Sequence, residues 1–388
     1  MDSLKYPGTA AADTGAALFP ESTAEDDTFL SQQLITYIGN KRRLLGFIGQ
    51  ALDKVARRLN RPKLRLADVF SGSGAVSRYC KRFAELLVVN DLEDYAAVVN
   101  RCYLANRGSL DLNRLADAHR GLLERLAADS RRPGFIRELY APADDRAIIA
   151  GERVFYTVEN AAFLDSARQY IAELSPELQP FFLGPLLSEA SIHANTAGVF
   201  KGFYKNKHSG VGQFGGAQGD ALGRITGRVK LPFPLFSRHD CALSLHQLDA
   251  NQLASSLPEL DLAYLDPPYN QHPYGSNYFM LNLLTSYRRP ATISRVSGIP
   301  DDWRRSDYNR PQASRQALAR LVADLPAKYL LVSFNSDGFI KRPEMLRLLE
   351  TVGRVEVMEI RYNAFRGSRN LAGRDLHVSE FLYLVEKR

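Results

Sequence analysis

The sequence predicts a doubly wound α/β protein: a mixed sheet with helices on both faces, an antiparallel last strand and an inserted second region. Three observations carry this. Leu64–Phe70 reads as a strand, Ser71-Gly72-Ser73-Gly74 as a tight turn, Ala75–Phe83 as a helix and Leu86–Asn90 as a second strand, which is how such sheets begin. The apolar run Leu262–Leu265 ends abruptly at Asp266-Pro267-Pro268-Tyr269. Val355–Arg361 and Glu380–Val385 read as a closing antiparallel pair.

In chain order, residues 1–27 are rich in Ala, Thr, Gly, Asp and Glu and predict a mobile tail. Leu34–Lys41 is a short extended piece ending in a turn. Leu44, Leu45, Ile48, Leu52 and Val55 then recur at helical spacing. Helical pattern resumes from Tyr95 to about Asn106. From Gly108 to Phe236 charged helical segments (Leu112–Asp129, Phe163–Leu174) alternate with stretches bearing Pro and Gly. Strands follow at Cys241–His246, Leu262–Leu265 and Tyr329–Phe334, with helices at Tyr278–Leu284 and Pro343–Leu349. The expected organisation is an acidic tail over 1–27, a main domain from 28–107 and 237–388, and an inserted region over 108–236.

The 388 residues carry a net charge of +7 and are 45% hydrophobic, enough for a sizeable core. Charge is unevenly placed. Residues 1–30 hold six acids and one base, so the remainder carries +12. A basic body suits a polyanionic partner. Val199–Arg238 concentrates seven bases (Lys201, Lys205, Lys207, Arg224, Arg228, Lys230, Arg238) against Asp220, interleaved with six aromatics. That composition fits a nucleic-acid surface, although aromatics at this density also include core residues. A loop bearing Arg366, Arg369 and Arg374 adds to the basic character. Cys80, Cys102 and Cys241 lack metal-binding or redox spacing, and the seven histidines are scattered. The expectation is reduced thiols, no metal, no membrane partner and a cytoplasmic location.

The chemistry gathers at strand ends. Proline fixes φ and donates no N–H, so Pro267-Pro268 must leave the sheet as a stiff turn. That holds Asp266 and Tyr269 where open α/β sheets bind ligands. Two acceptors, the Asp266 carboxylate and the Pro267 carbonyl, beside the flat face of Tyr269 suit a planar group bearing an NH2. Alone, the same turn reads as a strand stop. Gly72 and Gly74 let a ligand approach the backbone at a helix N-terminus, and Asp91 is placed to hold a ribose. Asp68, just before the glycines, would repel a pyrophosphate and suits an ammonium. A nucleoside carrying a cationic amino-acid end therefore fits better than a dinucleotide. Lys41 reads equally as a helix-start lysine, and Asp249 as the cap of a helix starting near Asn251.

Taken together, Tyr37-Ile38-Gly39-Asn40-Lys41, Asp68-Val69-Phe70-Ser71-Gly72-Ser73-Gly74, Asn90-Asp91 and Asp266-Pro267-Pro268-Tyr269, in that order, resemble the S-adenosylmethionine-dependent DNA adenine-N6 methyltransferases of the Dam-like class, over roughly residues 32–388. The resemblance implies a Rossmann-like methyltransferase domain interrupted by a target-recognition region. It implies that Asp68, Phe70, Gly72 and Gly74 line the cofactor's amino-acid end, with Tyr37, Gly39 and Lys41 nearby. Asp91 would take the ribose and Asp249 the cofactor's adenine. Asp266, Pro267, Pro268 and Tyr269 would be catalytic, acting on a base flipped out of double-stranded DNA. Lys201, Lys205, Lys207, Arg224, Arg228, Arg366 and Arg369 would contact the nucleic acid. A separate cognate restriction endonuclease is the partner implied. Cytosine-N4 methylation uses the same geometry, and basic charge does not separate DNA from RNA. A non-catalytic nucleic-acid-binding module is disfavoured by Asp266, Gly72 and Gly74.

Overall fold

The computed structural model describes residues 25–128, 131–216, 219–336, 338–363 and 377–388. Most of the acidic tail, and Arg366, Arg369 and Arg374, lie outside these residues. Where the tail reaches residue 25 it is already folded. The Glu25 carboxylate accepts from the Ser237 hydroxyl (2.6 Å) and the Arg238 amide (3.0 Å). Asp26 caps the helix α1 (Asp27–Ser31). The tail boundary expected at residue 27 therefore overlaps ordered chain.

The chain continues through α2 (Leu45–Leu59), β1 (Leu64–Asp68), α3 (Ala75–Cys80), β2 (Ala84–Asn90) and α4 (Asp94–Tyr103). Five helices follow before the sheet resumes: α5 (Leu112–Ala128), α6 (Phe135–Tyr140), α7 (Val158–Ala172), α8 (Gln179–Ile192) and α9 (Leu222–Thr226). Then come β3 (Ala242–His246), α10 (Ala250–Ala254), β4 (Leu260–Leu265), α11 (Tyr274–Asn277), α12 (Phe279–Ser286) and α13 (Pro311–Asp324). The chain closes with β5 (Ala327–Asn335), α14 (Arg342–Glu350), β6 (Gly353–Asn363) and β7 (His377–Lys387).

The sheet order is β3-β2-β1-β4-β5-β7-β6. The strands β3, β2, β1, β4 and β5 are parallel, and β7 runs antiparallel to both β5 and β6. Chain order reverses direction between β1 and β4, so a crevice opens beyond their carboxyl ends. β4 is buried at all six positions, as a central strand covered on both faces must be. Its period of two splits it between cores. Ala263 and Leu265 face α10, α13 and α14 through Leu253, Leu318, Leu321 and Met345. Leu262 and Tyr264 face α2 and α3 through Ile48, Leu52, Val76 and Tyr79.

The inserted helices form no separate core. Their buried residues, among them Leu164, Tyr170, Phe182 and Leu186, join Tyr95 and Val99 of α4 and Phe279 and Leu281 of α12 in one cluster. Phe200 and Phe203, from the basic stretch, are buried in this cluster. Phe214, Phe233 and Phe236 pack against it. Cys80, Cys102 and Cys241 are buried free thiols. No helix among the described residues is long and apolar enough to cross a membrane.

Candidate active site

At the end of β1 the chain makes a turn that only small residues allow. Gly72 and Gly74 have φ of 53° and 74°, a region where side chains are strained. A Cβ on Gly72 would also lie 2.9 Å from the Tyr37 ring, and one on Gly74 would lie 2.5 Å from Asn100 Oδ1. The turn is braced from β2. The Gly72 amide donates to Asp91 Oδ2 (2.7 Å), and the Glu93 amide donates to Asp91 Oδ1 (2.9 Å). Asn90 donates to the Val69 and Leu248 carbonyls and accepts from the Leu248 amide, tying together the ends of β1, β2 and β3.

These ends surround a cleft of about 890 Å3, counting the open solvent at its mouth. Of the expected residues, Tyr37, Gly39, Lys41, Asp68, Phe70, Gly72, Asp91, Asp249, Asp266 and Pro268 line it. Asp249 also accepts from the Asn251 amide (2.9 Å), so it is the helix cap its sequence context suggests as well as a cleft residue. Asp68 is the most telling group. Its Oδ2 accepts from the Ser77 hydroxyl at 2.5 Å. Its Oδ1 is buried without a hydrogen-bond partner. Burial lifts the carboxyl to about 7, against the lowering effect of Ser77. A buried acceptor left unmatched at a cleft wall fits an incoming ammonium.

Other cleft residues carried no sequence signal. Glu93 is buried, accepts from Asn282 Nδ2 (2.6 Å) and is lifted by burial to about 7. A lip runs from Arg304 to Asn309. Arg304 donates to the Leu92 carbonyl (3.2 Å) and Asp94 (2.7 Å), Tyr308 meets Phe70 edge-on at 5.0 Å, and Asn309 donates to the Asn270 carbonyl (2.9 Å). The signal for these residues is tertiary, since the lip comes from the segment before α13, whose regular structure is a single 3-10 turn, Asp307–Asn309.

At the mouth, Asp266 follows β4. Asp68 pairs in register with Tyr264, so Asp266 stands two residues further along the neighbouring strand. Lys41 Nζ lies 3.0 Å from Asp266 Oδ1 and 3.2 Å from Glu380 Oε1. Burial raises the Asp266 carboxyl to about 6, opposed by Lys41 and assisted by Glu380. Burial pulls the Lys41 ammonium down, but Asp266 and Glu380 outweigh it and hold the ammonium well above its usual value. Tyr269 meets Phe334 edge-on at 5.8 Å, its carbonyl accepts from the Phe339 amide (3.0 Å), and Lys41 Nζ lies 5.7 Å from its ring centre. Gly39, with φ of 76°, brings the Tyr37–Lys41 turn against Tyr269; a Cβ there would lie 3.2 Å from the Tyr269 hydroxyl. Tyr37 stacks on Tyr278 and Tyr274 with ring centres 4.8 and 5.0 Å away.

Of the basic residues, Lys201, Lys207 and Arg228 are exposed and Lys205 is half-buried. Lys201 Nζ lies 3.5 Å from His272 Nδ1, three residues after Tyr269. Arg224 is committed elsewhere. It donates to the Ala194 (3.0 Å), Thr196 (3.3 Å) and Ile192 carbonyls, and so clamps the segment after α8. His193 and Asn195 act as loop hydrogen-bonders. Among the described residues no group of three or more His, Cys, Asp or Glu could hold a metal ion.

The family model described as D12 class N6 adenine-specific DNA methyltransferase matches residues 37–295, more than half of the chain. The chain is 28% identical over 361 residues to the type II methyltransferase M.NlaIII of Neisseria lactamica, covering 91% of this chain and 99% of that protein. It is 26% identical to the type II methyltransferase M.CviAII of Paramecium bursaria Chlorella virus 1, covering 90% and 98%. It is 24% identical to the modification methylase StsI of Streptococcus sanguinis, covering 91% of this chain and 52% of that one.

Proposed function

The chain belongs to the D12 class N6 adenine-specific DNA methyltransferases, and from that premise we propose which of its residues perform the methylation and which donor they hold. The donor is S-adenosylmethionine, which when bound supplies a methyl group on a positively charged sulfur. Asp68 Oδ1 receives the donor's ammonium, the turn through Gly72 admits its amino-acid end, and Asp91 and Asp249 address its ribose and adenine. The observation that carries this is the unmatched buried Oδ1 of Asp68, one strand away from Asp266 at the point where chain order reverses.

Adenine N6 is a poor nucleophile because its lone pair is delocalised into the ring. The Asp266 carboxylate accepts a hydrogen bond from one N6–H and the Pro267 carbonyl accepts one from the other. This draws the amine toward tetrahedral geometry and offsets the positive charge growing on nitrogen. Asp266 then takes the proton that the methylated nitrogen sheds. Tyr269 stacks on the base, which must leave the duplex to reach the cup. Lys201, Lys205, Lys207 and Arg228 contact DNA phosphates, with specificity residing in the region 108–236. The protein acts in the cytoplasm beside a separate cognate restriction endonuclease, a reading supported by the type II and modification names of its relatives.

The test is to incubate the protein and labelled S-adenosylmethionine with unmodified duplex DNA, single-stranded DNA or RNA, and then digest to nucleosides. Label in N6-methyladenosine of the deoxy series from duplex DNA is the expected result. Label in N4-methylcytosine, or only in RNA, would refute the reading.

A further inference from the structure

We propose that Glu380 is a positioning residue for methyl transfer: by sharing Lys41 with Asp266 it keeps the ammonium from being committed to Asp266 alone, so that this carboxylate still accepts the target amine as the amine becomes cationic. This rests on the assignment of Asp266 as the amine acceptor.

Lys41 Nζ bridges the two carboxylates at 3.0 Å (Asp266) and 3.2 Å (Glu380), and the side chains of Lys41 and Glu380 are 4% and 0% exposed. Lys41, Tyr264 and Asp266 line the cleft, whereas Glu380 is not among its lining residues. Glu380 Oε1 also accepts from the Ser333 hydroxyl. Ser333 belongs to β5 and Glu380 to β7, which pair in register with Asn335 opposite Glu380, so the carboxylate is fixed by the sheet itself.

A buried lysine facing Asp266 alone would form a neutral pair, and its ammonium would compete with the target amine for the carboxylate. A buried charge needs a partner, and two acids around one cation spread that partnership. An Asp266 carboxylate only partly engaged by Lys41 acts in a low-dielectric pocket, where charge stabilisation is strong.

Among the described residues the other titratable groups around Asp266 and Lys41 are Asp68 from β1, Tyr264 from β4, Tyr269 from the following turn and Tyr274 from α11; Tyr383 of β7, on the other face of the sheet, is raised mainly by burial and only slightly by the Glu380 charge. Burial drives Tyr264 and Tyr274 upward, away from neutrality. Asp68 does titrate near neutral pH in the empty cleft. Saturating cofactor removes it from the window by pairing it with the ammonium.

The experiment is single-turnover methylation of duplex DNA from pH 5 to 9 with saturating S-adenosylmethionine, with cofactor affinity measured alongside. Glu380→Gln should lower the rate at pH 8 about tenfold or more, less than the roughly 10²–10³-fold of a lost direct contact because Glu380 acts through Lys41, with cofactor affinity retained. Its acid limb should move to lower pH, because the Glu380 charge no longer disfavours ionisation of Asp266. A native rate, or a lowered rate with an unmoved acid limb, would overturn the proposal. Lys41→Met leaves two carboxylates facing each other and should move the limb upward. Adding Glu380→Gln to that background should bring it back down. No return in the double variant overturns the proposal even where the single Glu380→Gln variant does not fold. Full activity of Asp266→Ala in the same assay would instead defeat the site reading itself. Native behaviour of Glu380→Gln beside an inactive Asp266→Ala defeats only this inference.

Discussion

Asp68 holds a carboxyl where a neutral group would sit more comfortably. Folding raises it to about 7 from an ordinary 3.8, so between these values the folded state binds the proton that the unfolded state has lost. Stability from this group is therefore full at low pH and declines as pH rises through about 7. Glu93, also lifted to about 7, acts in the same direction. Asp68→Asn should therefore stabilise the cofactor-free protein at pH 8 by about 1 kcal/mol or more, with the gain vanishing near pH 4. Urea midpoints of the two proteins at both pH values check this, and a gain independent of pH would contradict it. The same substitution should abolish tight cofactor binding, since the unmatched Oδ1 is what an ammonium would meet. Asp68 was legible because an acid just before a glycine turn is out of place for a pyrophosphate site. Glu93 was not, because its burial depends on Asn282 and the Arg304 lip, far away in sequence.

The elements divide by how much of their environment the local pattern encodes. β1, the glycine turn, β2 and β4 were readable, because central parallel strands are continuous apolar runs and Gly and Pro punctuate their ends. α8 was not. Phe181 to Leu187 are buried nearly all round, so no polar face marks a helical period, and Pro185 argues locally against a helix. α13 was also missed, its large apolar residues (Leu318, Leu321, Val322) being confined to its second half behind Gln, Ser and Arg. β4 is the element on which the Asp266–Tyr269 turn depends. Leu265, fully buried beside Asp266, has nowhere to relax. Leu265→Ala should cost about 2–5 kcal/mol in a denaturation series and reduce methylation by misplacing the turn. A loss below about 1 kcal/mol, too small for a core Leu→Ala change, would mean that β4 does not carry that turn rigidly.

On the scale of the whole molecule, the order of motifs was legible, and with it the family. The extent of the shared core was not. The region 108–236 stands apart in composition, but its buried side chains merge with α4 and α12, because its apolar helices need a face that the main domain supplies. Of the bases expected at the nucleic acid, Lys201, Lys207 and Arg228 are exposed and hold no backbone among the described residues, while Arg224 clamps backbone carbonyls. Neutralising Lys201, Lys207 and Arg228 should weaken DNA binding and reduce the slope of log affinity against log salt by about 0.9 per lost phosphate contact. Arg224→Gln should leave that slope unchanged and lower thermal stability. The central claim is that Asp266, one strand from the cofactor's Asp68, accepts the target N6 amine. Its most direct test is methyl transfer to duplex DNA by Asp266→Ala together with its S-adenosylmethionine affinity. The account requires that transfer is lost while cofactor affinity is largely retained. Normal turnover by Asp266→Ala would contradict it.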